Sequence, residues 1–290
     1  MVDACPLCAS RSWREIFRAL RPAAAPSTGR HTEDLFGRAG PIVRCTQCGL
    51  VRQLNPPHAP YEDAVDDEYL AEEPGIRSTF RTLLERIDRH RAPPGRLLDI
   101  GCGPGFLLDE ARTRGWTVAG VELSRWGVEQ SRARGLDVYA GTLEDVDLGD
   151  QFFDVIVVAD VIEHVFDPLS FLERIRSLLR PDGVVFIATP NVDSVIARVL
   201  RRWWWSVIPN HVLFFSRRSL ERTVQSAGLK VSEVSTHPKT FSVEYYAGRF
   251  GGYATLLGHV AVRVSRAFGG RERLVTPDFH DRVSMIATKR

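Results

Sequence analysis

Apolar residues along this chain fall into two recurring patterns, short strand-length runs, some alternating with polar residues, and longer stripes spaced three or four positions apart. The runs are Leu97–Ile100, Thr117–Val121, Leu136–Tyr139, Phe152–Ala159, Val184–Thr189, Leu229–Val234 and Arg282–Thr288. Each has the length and composition of a strand. Stripes of helical spacing lie between them: Phe80, Leu83, Leu84 and Ile87 within Ile76–Arg91, then Phe106, Leu107, Leu108 and Ala111. Ser124–Arg134, the segment holding Leu169, Leu172, Ile175, Leu178 and Leu179, and Arg217–Ala227 continue the series. Alternation of strand and helix predicts a doubly wound α/β sheet. Phe152–Ala159 is apolar almost throughout, as a central strand covered on both faces should be. Punctuation agrees with these bounds. Pro93-Pro94-Gly95 precedes the first run, and the first helix should pack on the sheet edge. Asp167-Pro168 is a helix start, Arg180-Pro181-Asp182-Gly183 a turn, Ser216 a cap and Gly228 a helix stop.

The chemistry concentrates where the first run ends. Gly101-Cys102-Gly103-Pro104-Gly105 follows Asp99-Ile100, and Glu122 closes the second strand 21 positions after Gly101. Strand, glycine turn, helix and strand make half of a nucleotide-binding unit. Glycines let the backbone pass close to a ligand, and a carboxylate at Glu122 can accept bonds from two ribose hydroxyls. A dinucleotide fingerprint needs a third glycine at position 106, which is Phe. That disfavours a dehydrogenase and suits a ligand with an adenosine and an amino-acid tail.

Four of the five cysteines form two C-x-x-C pairs, Cys5/Cys8 and Cys45/Cys48, separated by 36 residues; Cys102 stands in the glycine turn. Two such pairs point to one tetrahedral zinc ion in a ribbon-like module over residues 1–52. Four thiolates leave no open position, so this zinc is expected to be structural. Trp13, Ile16, Phe17, Ile42, Val43, Leu50 and Val51 are available for its small core, and Pro22–Gly40 should loop out.

The segment LLDIGCGPG, with Glu122 and the later Val161-Ile162-Glu163-His164-Val165 and LLRPDGVVFIATPN, resembles the class I S-adenosylmethionine-dependent methyltransferases. The V-x-E-H-V stretch is similar to that of the ubiquinone-biosynthesis and related small-molecule group. The resemblance covers about 96–235 and the last run. It implies a Rossmann-like seven-stranded sheet with the last strand antiparallel, and S-adenosyl-L-methionine as cofactor. It also implies cofactor contacts from Asp99, Gly101, Cys102, Gly103, Gly105, Glu122 and Leu123. Leu143 and Glu144 would flank the adenine, although Thr142 stands where many members carry Asp, and Ala159 and Asp160 would lie by the methyl group. His164 is then the first candidate base for removing an acceptor proton, with a structural histidine bonding the strand-end turn as the alternative. His211 is a second candidate, or else holds a lid; Glu163 orients either histidine or shapes the turn. Asn55-Pro56-Pro57-His58 resembles an amino-group methyltransferase motif, but it precedes the first strand and reads as a linker turn.

Composition is that of a soluble globular protein, 44% hydrophobic and 26% charged. No apolar run reaches the roughly 18–20 residues that span a bilayer, and no signal-peptide pattern opens the chain, so the expected location is the cytoplasm. Net charge is +2, yet residues 190–290 carry 16 basic and 7 acidic side chains. That imbalance suits an anionic substrate, or simply solvated arginines. Tyr61–Pro74 is acidic, and Tyr61 and Tyr69 are candidates to cap the cofactor pocket. Arg201-Arg202-Trp203-Trp204-Trp205 reads as a substrate lid, an interfacial membrane contact or buried packing. The expected organisation is a module at 1–52, a linker and helix at 53–95, and a methyltransferase domain at 96–290 with insertions at 190–217 and 236–280. The expected function is methylation, at oxygen first, of a small-molecule or sugar- or lipid-linked intermediate. An RNA methyltransferase is disfavoured by the near-neutral charge, and a non-catalytic ribbon scaffold by the intact glycine turn. Sugar C-methyltransferases of antibiotic pathways share the knuckles but carry a further domain.

Overall fold

The computed structural model describes residues 4–18, 39–56, 67–149, 152–251, 262–267 and 269–289. Residues 22–38 of the loop expected at Pro22–Gly40, with Pro57, His58, Tyr61 and most of the helix expected near Leu256–Phe268, lie outside them. Strands are β1 (Trp13–Phe17), β2 (Ile42–Cys45), β3 (Val51–Gln53), β4 (Gly95–Ile100), β5 (Trp116–Glu122), β6 (Val138–Ala140) and β7 (Phe153–Ala159). They continue as β8 (Leu179–Pro190), β9 (Leu213–Phe214), β10 (Leu229–Thr236), β11 (Phe241–Ser242), β12 (Leu274–Val275) and β13 (Arg282–Lys289). Helices are α1 (Asp67–Ala71), α2 (Glu73–Asp88), α3 (Phe106–Thr113), α4 (Arg125–Ala133), α5 (Pro168–Leu178), α6 (Val195–Leu200), α7 (Arg217–Ser226) and α8 (Val243–Gly251).

Seven strands form the main sheet in the order β10-β13-β8-β7-β4-β5-β6. β4 to β8 run parallel, and β13 is antiparallel to both β8 and β10. The expected sheet and its antiparallel last strand are therefore present. Strand period 2 sorts the side chains to two faces. Leu97, Val155, Val157 and Phe186 meet α2 and α3 through Leu83, Leu84, Ile87, Leu107 and Leu108. Leu98, Ile100, Ile156, Val158 and Ile187 meet α5 and α7 through Phe171, Leu172, Ile175, Leu220 and Val224. Both faces are covered, which is why β7 reads as an apolar run interrupted only by Asp154 near its start.

Three expectations change in detail. The helix read as Ile76–Arg91 starts at Glu73, with Pro74 in its first turn, where a missing amide costs nothing. It also lies across the sheet face, not at the edge, because Leu83, Leu84 and Ile87 reach the central strands. The turn read at Arg180–Gly183 is absorbed into β8 as an irregularity: Phe153 pairs with Leu179, but Val155 pairs with Val184. Elsewhere the local signals hold. Ser124 accepts the Gly127 amide, Asp167 accepts the Leu169 and Ser170 amides, and Ser216 and Ser219 form a reciprocal box at α7.

A second sheet, β1-β2-β3-β9, joins the N-terminal segment to the rest: β3 pairs antiparallel with β9, far along the chain. Trp204 is 1% exposed and packs with Ile42, Val51, Val207 and Phe214. The Trp205 indole donates to Asp281 at 2.8 Å, and Trp203 is 47% exposed. The tryptophan run is therefore mostly packing that seats the second sheet. Among the described residues no helix is long and apolar enough to cross a membrane.

Asp154 ties the amino ends of β4 and β7 together. It accepts the Arg96 amide at 2.8 Å and pairs with Arg91, whose other nitrogen reaches Asp182. Burial alone would push its carboxyl up. The Arg96 amide, with Arg91 and Arg180, outweighs that and holds it below the usual range. This stabilisation is present above the unfolded pKa and fades as pH falls through the depressed native value. Asp154→Asn should destabilise the protein by about 2 kcal/mol at pH 7. Urea unfolding followed at pH 7 and pH 3 should show that difference shrinking in acid; an unchanged difference would discard the assignment.

Candidate active site

Strand order reverses beside β4, so the carboxyl ends of β4 and β7 border one crevice, the usual ligand site of such sheets. Gly101 has φ 74° and lies against Val161; a Cβ there would come within 2.5 Å of Val161 Cγ2. Gly103 has φ 52° and faces open space. The amides of the turn are engaged inside the protein. Those of Gly101 and Cys102 donate to the Val121 carbonyl, and that of Gly105 to the Cys102 carbonyl. The Gly103 amide donates to Glu122 Oε2 at 2.7 Å. None of these four is left to cradle a pyrophosphate, which agrees with Phe106 replacing a third glycine. Glu122 Oε1 accepts the Ser124 amide at 2.7 Å, and Ser131 Oγ donates to the Gly103 carbonyl at 2.7 Å. Each carboxylate oxygen of Glu122 thus keeps a further lone pair for a ligand hydroxyl.

Around this turn the other expected cofactor residues take varied places. Asp99 is buried, and burial first, then the Glu122 charge, pushes its carboxyl well up. Cys102 is also buried, with its thiol pushed up by burial and by Asp99. Leu123 is half-buried beside Glu122, Leu143 is buried in the core and Glu144 is exposed. Thr142 Oγ1 is bound to Asp145 at 2.7 Å. Tyr69 stacks on Phe106, with ring centroids 5.9 Å apart and planes 4° apart, while Arg134 and Arg77 lie 4.8 and 5.2 Å from the same ring centroid.

The end of β7 carries a second group. After half-buried Ala159, Asp160 has φ 60° and is paired with both Lys239 and Arg282. Glu163 is buried; its Oε2 accepts the Thr189 hydroxyl at 2.9 Å, and burial raises its carboxyl to about 7. His164 Nδ1 lies 2.9 Å from the Asn210 carbonyl, and His211 Nδ1 lies 2.8 Å from the Ser206 carbonyl. A carbonyl only accepts, so both Nδ1 atoms carry a proton. Burial, then the neighbouring His164, pushes His211 well below the usual value and keeps it neutral. The rings meet edge to face at 4.8 Å, and one ligand atom each from Glu163, His164 and His211 lies within 4.8 Å of the others. Such a group can take a proton or hold a divalent ion. Lys239, Arg282, Thr189 and Asn210 were not singled out from the sequence. They sit 26 to 122 positions from Glu163 and Asp160; Thr189 lies within the LLRPDGVVFIATPN segment, and Lys239, Arg282 and Asn210 lie in no motif.

Cys5 Sγ lies 3.5 Å from Cys48 Sγ, Cys8 Sγ lies 3.6 Å from Cys45 Sγ, and all four sulfurs fall within 4.8 Å of one another. Tetrahedral zinc with bonds of about 2.3 Å requires sulfurs roughly 3.8 Å apart, so the four residues fit that ion. Burial pushes the Cys5 and Cys48 thiols up, whereas at Cys45 the Cys48 and Gln47 amides outweigh burial and bring the thiol down to about 7. Glu122 holds the glycine turn and offers the ribose acceptor together. Glu122→Ala should weaken S-adenosylhomocysteine binding about 100-fold, on the order of 3 kcal/mol. Calorimetric titration reads this directly; a loss under tenfold would remove Glu122 from the site.

Comparison with known proteins agrees with this geometry. A family model described as a methyltransferase domain matches residues 74–234. A ubiquinone biosynthesis O-methyltransferase of Parvibaculum lavamentivorans is 32% identical over 161 residues, 50% of this chain and 64% of that protein. Its counterpart in Aeromonas salmonicida is 30% identical over 169 residues, 53% of this chain and 71% of that one. The first alignment thus spans a little under two thirds of its relative. Among solved structures, a possible histamine N-methyltransferase from Thermotoga maritima has TM-score 0.50 at 21% identity, covering 77% of this chain and 92% of that one. An Archaeoglobus fulgidus SAM-dependent methyltransferase has TM-score 0.50 at 18% identity, covering 77% and 100%. These two speak for the fold. With the matched domain spanning more than half of its length, the chain belongs to the class I S-adenosylmethionine-dependent methyltransferases.

Proposed function

We propose that this protein transfers a methyl group to a hydroxyl of a small-molecule biosynthetic intermediate, with His164 as the base. The observation that carries this reading is the pair of histidines at the end of β7, each with Nδ1 spent on a backbone carbonyl. When bound, S-adenosylmethionine supplies an electrophilic methyl on a sulfonium leaving group. A hydroxyl is a weak nucleophile until its proton leaves, whereas a neutral amine needs no base before attack. His164 Nε2 takes that proton. His211, kept neutral by burial, does not repel the imidazolium that forms, and Glu163, close by, steadies it. Cofactor contacts are assigned to Asp99, Gly101, Cys102, Gly103, Gly105, Glu122 and Leu123. Leu143 and Glu144 are assigned beside the adenine, and Ala159 and Asp160 beside the methyl group.

The acceptor class follows from two supports. The curated relatives are named for O-methylation in ubiquinone biosynthesis. The final third of the chain is basic, 16 to 7, and Lys239 and Arg282 from it flank Asp160 at the crevice. An acceptor that is lipid- or sugar-linked and anionic suits that surface.

Transfer of labelled methyl from S-adenosylmethionine should be measured against prenylated catechols, nucleotide-linked sugars, primary amines and RNA. Product on a hydroxyl of either of the first two classes is expected; product only on amines or RNA would sink the reading. His164→Ala should lower kcat by about 10²- to 10⁴-fold and leave S-adenosylhomocysteine affinity within about threefold, since no cofactor contact is assigned to it.

A further inference from the structure

The two halves of the site are supported by different parts of the chain. Glu122, the glycine turn and Ser131 are bonded among β4, β5 and α4. The histidine half rests on the segment from Pro209 to Phe214, which has very little structure of its own. Its strand, β9, is two residues long and stands at the edge of the second sheet, paired there with β3. A strand so short cannot hold a position by itself.

β3 in turn emerges from a cysteine knuckle. The Cys45 amide donates to the Leu50 carbonyl at 2.8 Å and the Gly49 amide to the Cys45 carbonyl at 3.0 Å, and Val51 begins the strand. Val51 pairs with Phe214 and Arg52 with Leu213. Gln53 then makes two bonds that bracket His211. Its amide donates to the Val212 carbonyl at 2.9 Å, and its side-chain Nε2 donates to the Pro209 carbonyl at 3.1 Å. Gln53 is fully buried, so the second bond has no water to replace it. On its other edge the same segment meets the turn of the active site: the Val212 amide donates to the Glu163 carbonyl at 2.8 Å, and the Asn210 carbonyl receives His164 Nδ1.

We propose that the cysteine-knuckle sheet is a positioning frame for the histidine half of the site, with Gln53 as its positioning residue. Zinc at Cys5, Cys8, Cys45 and Cys48 sets β3, Gln53 sets Pro209 and Val212, and the carbonyls of that segment fix the ring orientation and tautomer of His164. The module serves the acceptor side and leaves the cofactor side alone. This goes beyond the O-methylation reading and does not depend on the acceptor's identity.

Gln53→Met keeps the side chain's length and removes the donor. In the full chain, metal analysis should still find one zinc per chain, and S-adenosylhomocysteine affinity should stay within about twofold. Long-range ¹H–¹⁵N spectra of the His164 and His211 rings should shift and lose the single Nδ1–H tautomer. Removing zinc with a chelator should disturb the same ring signals while S-adenosylhomocysteine still binds. Unchanged ring signals in either preparation overturn the proposal. So does an absence of zinc in the wild type, or loss of S-adenosylhomocysteine binding in step with zinc or with the Gln53→Met change. The ring spectra need no acceptor, so failure of the O-methylation reading leaves this test standing.

Discussion

The closeness of β4 and β7 at their carboxyl ends governs the rest of the site. Where β4 ends, Gly101 lies so near Val161 that even a methyl group between them would overlap Val161 Cγ2 at 2.5 Å. The turn that holds Glu122 and the turn that holds Glu163 and His164 are in direct contact across that gap. Strand order forces this, because the chain leaves β4 toward β5 on one side and returns to β7 on the other. Donor and acceptor groups must be aligned within tenths of an ångström for transfer, and a rigid parallel sheet with both faces packed supplies that stiffness.

Charge at this junction is handled by pairing and by neutrality. Asp160 adopts a left-handed backbone conformation, a strain that its ion pairs with Lys239 and Arg282 can offset. Glu163 takes the other route: burial raises its carboxyl to about 7, and Thr189 meets one of its oxygens. His211 stays neutral because a charge there would be desolvated beside His164. The crevice therefore holds ionisable groups with different preferences at neutral pH.

The N-terminal module is continuous with the catalytic domain. Cys5, Cys45, Cys48 and Leu50 share a core with Leu98, Ile156 and Phe215 of the main domain. Ile42 and Val51 share another with Trp204 and Val207. Arg44 adds an ion pair to Asp193 at 3.0 Å. A segment that looks like an insertion in the order of the chain, 190–217, is in space the strip on which the cysteine sheet is built.

Local chemistry was legible in the order of residues. Gly101, Gly103, Gly105 and Glu122 announce a nucleotide turn because backbone freedom and strand-end placement act over a few positions. The run at 153–159, apolar but for Asp154, announces a buried strand, and the paired C-x-x-C motifs announce four sulfurs that can converge. Helix caps at Asp167 and Ser216 were readable for the same reason, since a cap bonds amides two or three residues away. What the sequence left open was every pairing over long separations. Nothing near Gln53 signals that it will clamp Pro209, 156 positions later, and nothing in His-Pro-Lys signals that Lys239 will meet Asp160. Pattern alone leaves the tryptophan run as lid, membrane contact or core, and the packing of Ile42 and Val51 with Trp204 decides for core. Sequence alone determined the glycine turn, the caps at Asp167 and Ser216 and the seven strands of the main sheet, which depend on backbone geometry and neighbouring residues. Tertiary structure alone decided which side chains share a site, because that depends on where a twisted sheet brings distant segments together.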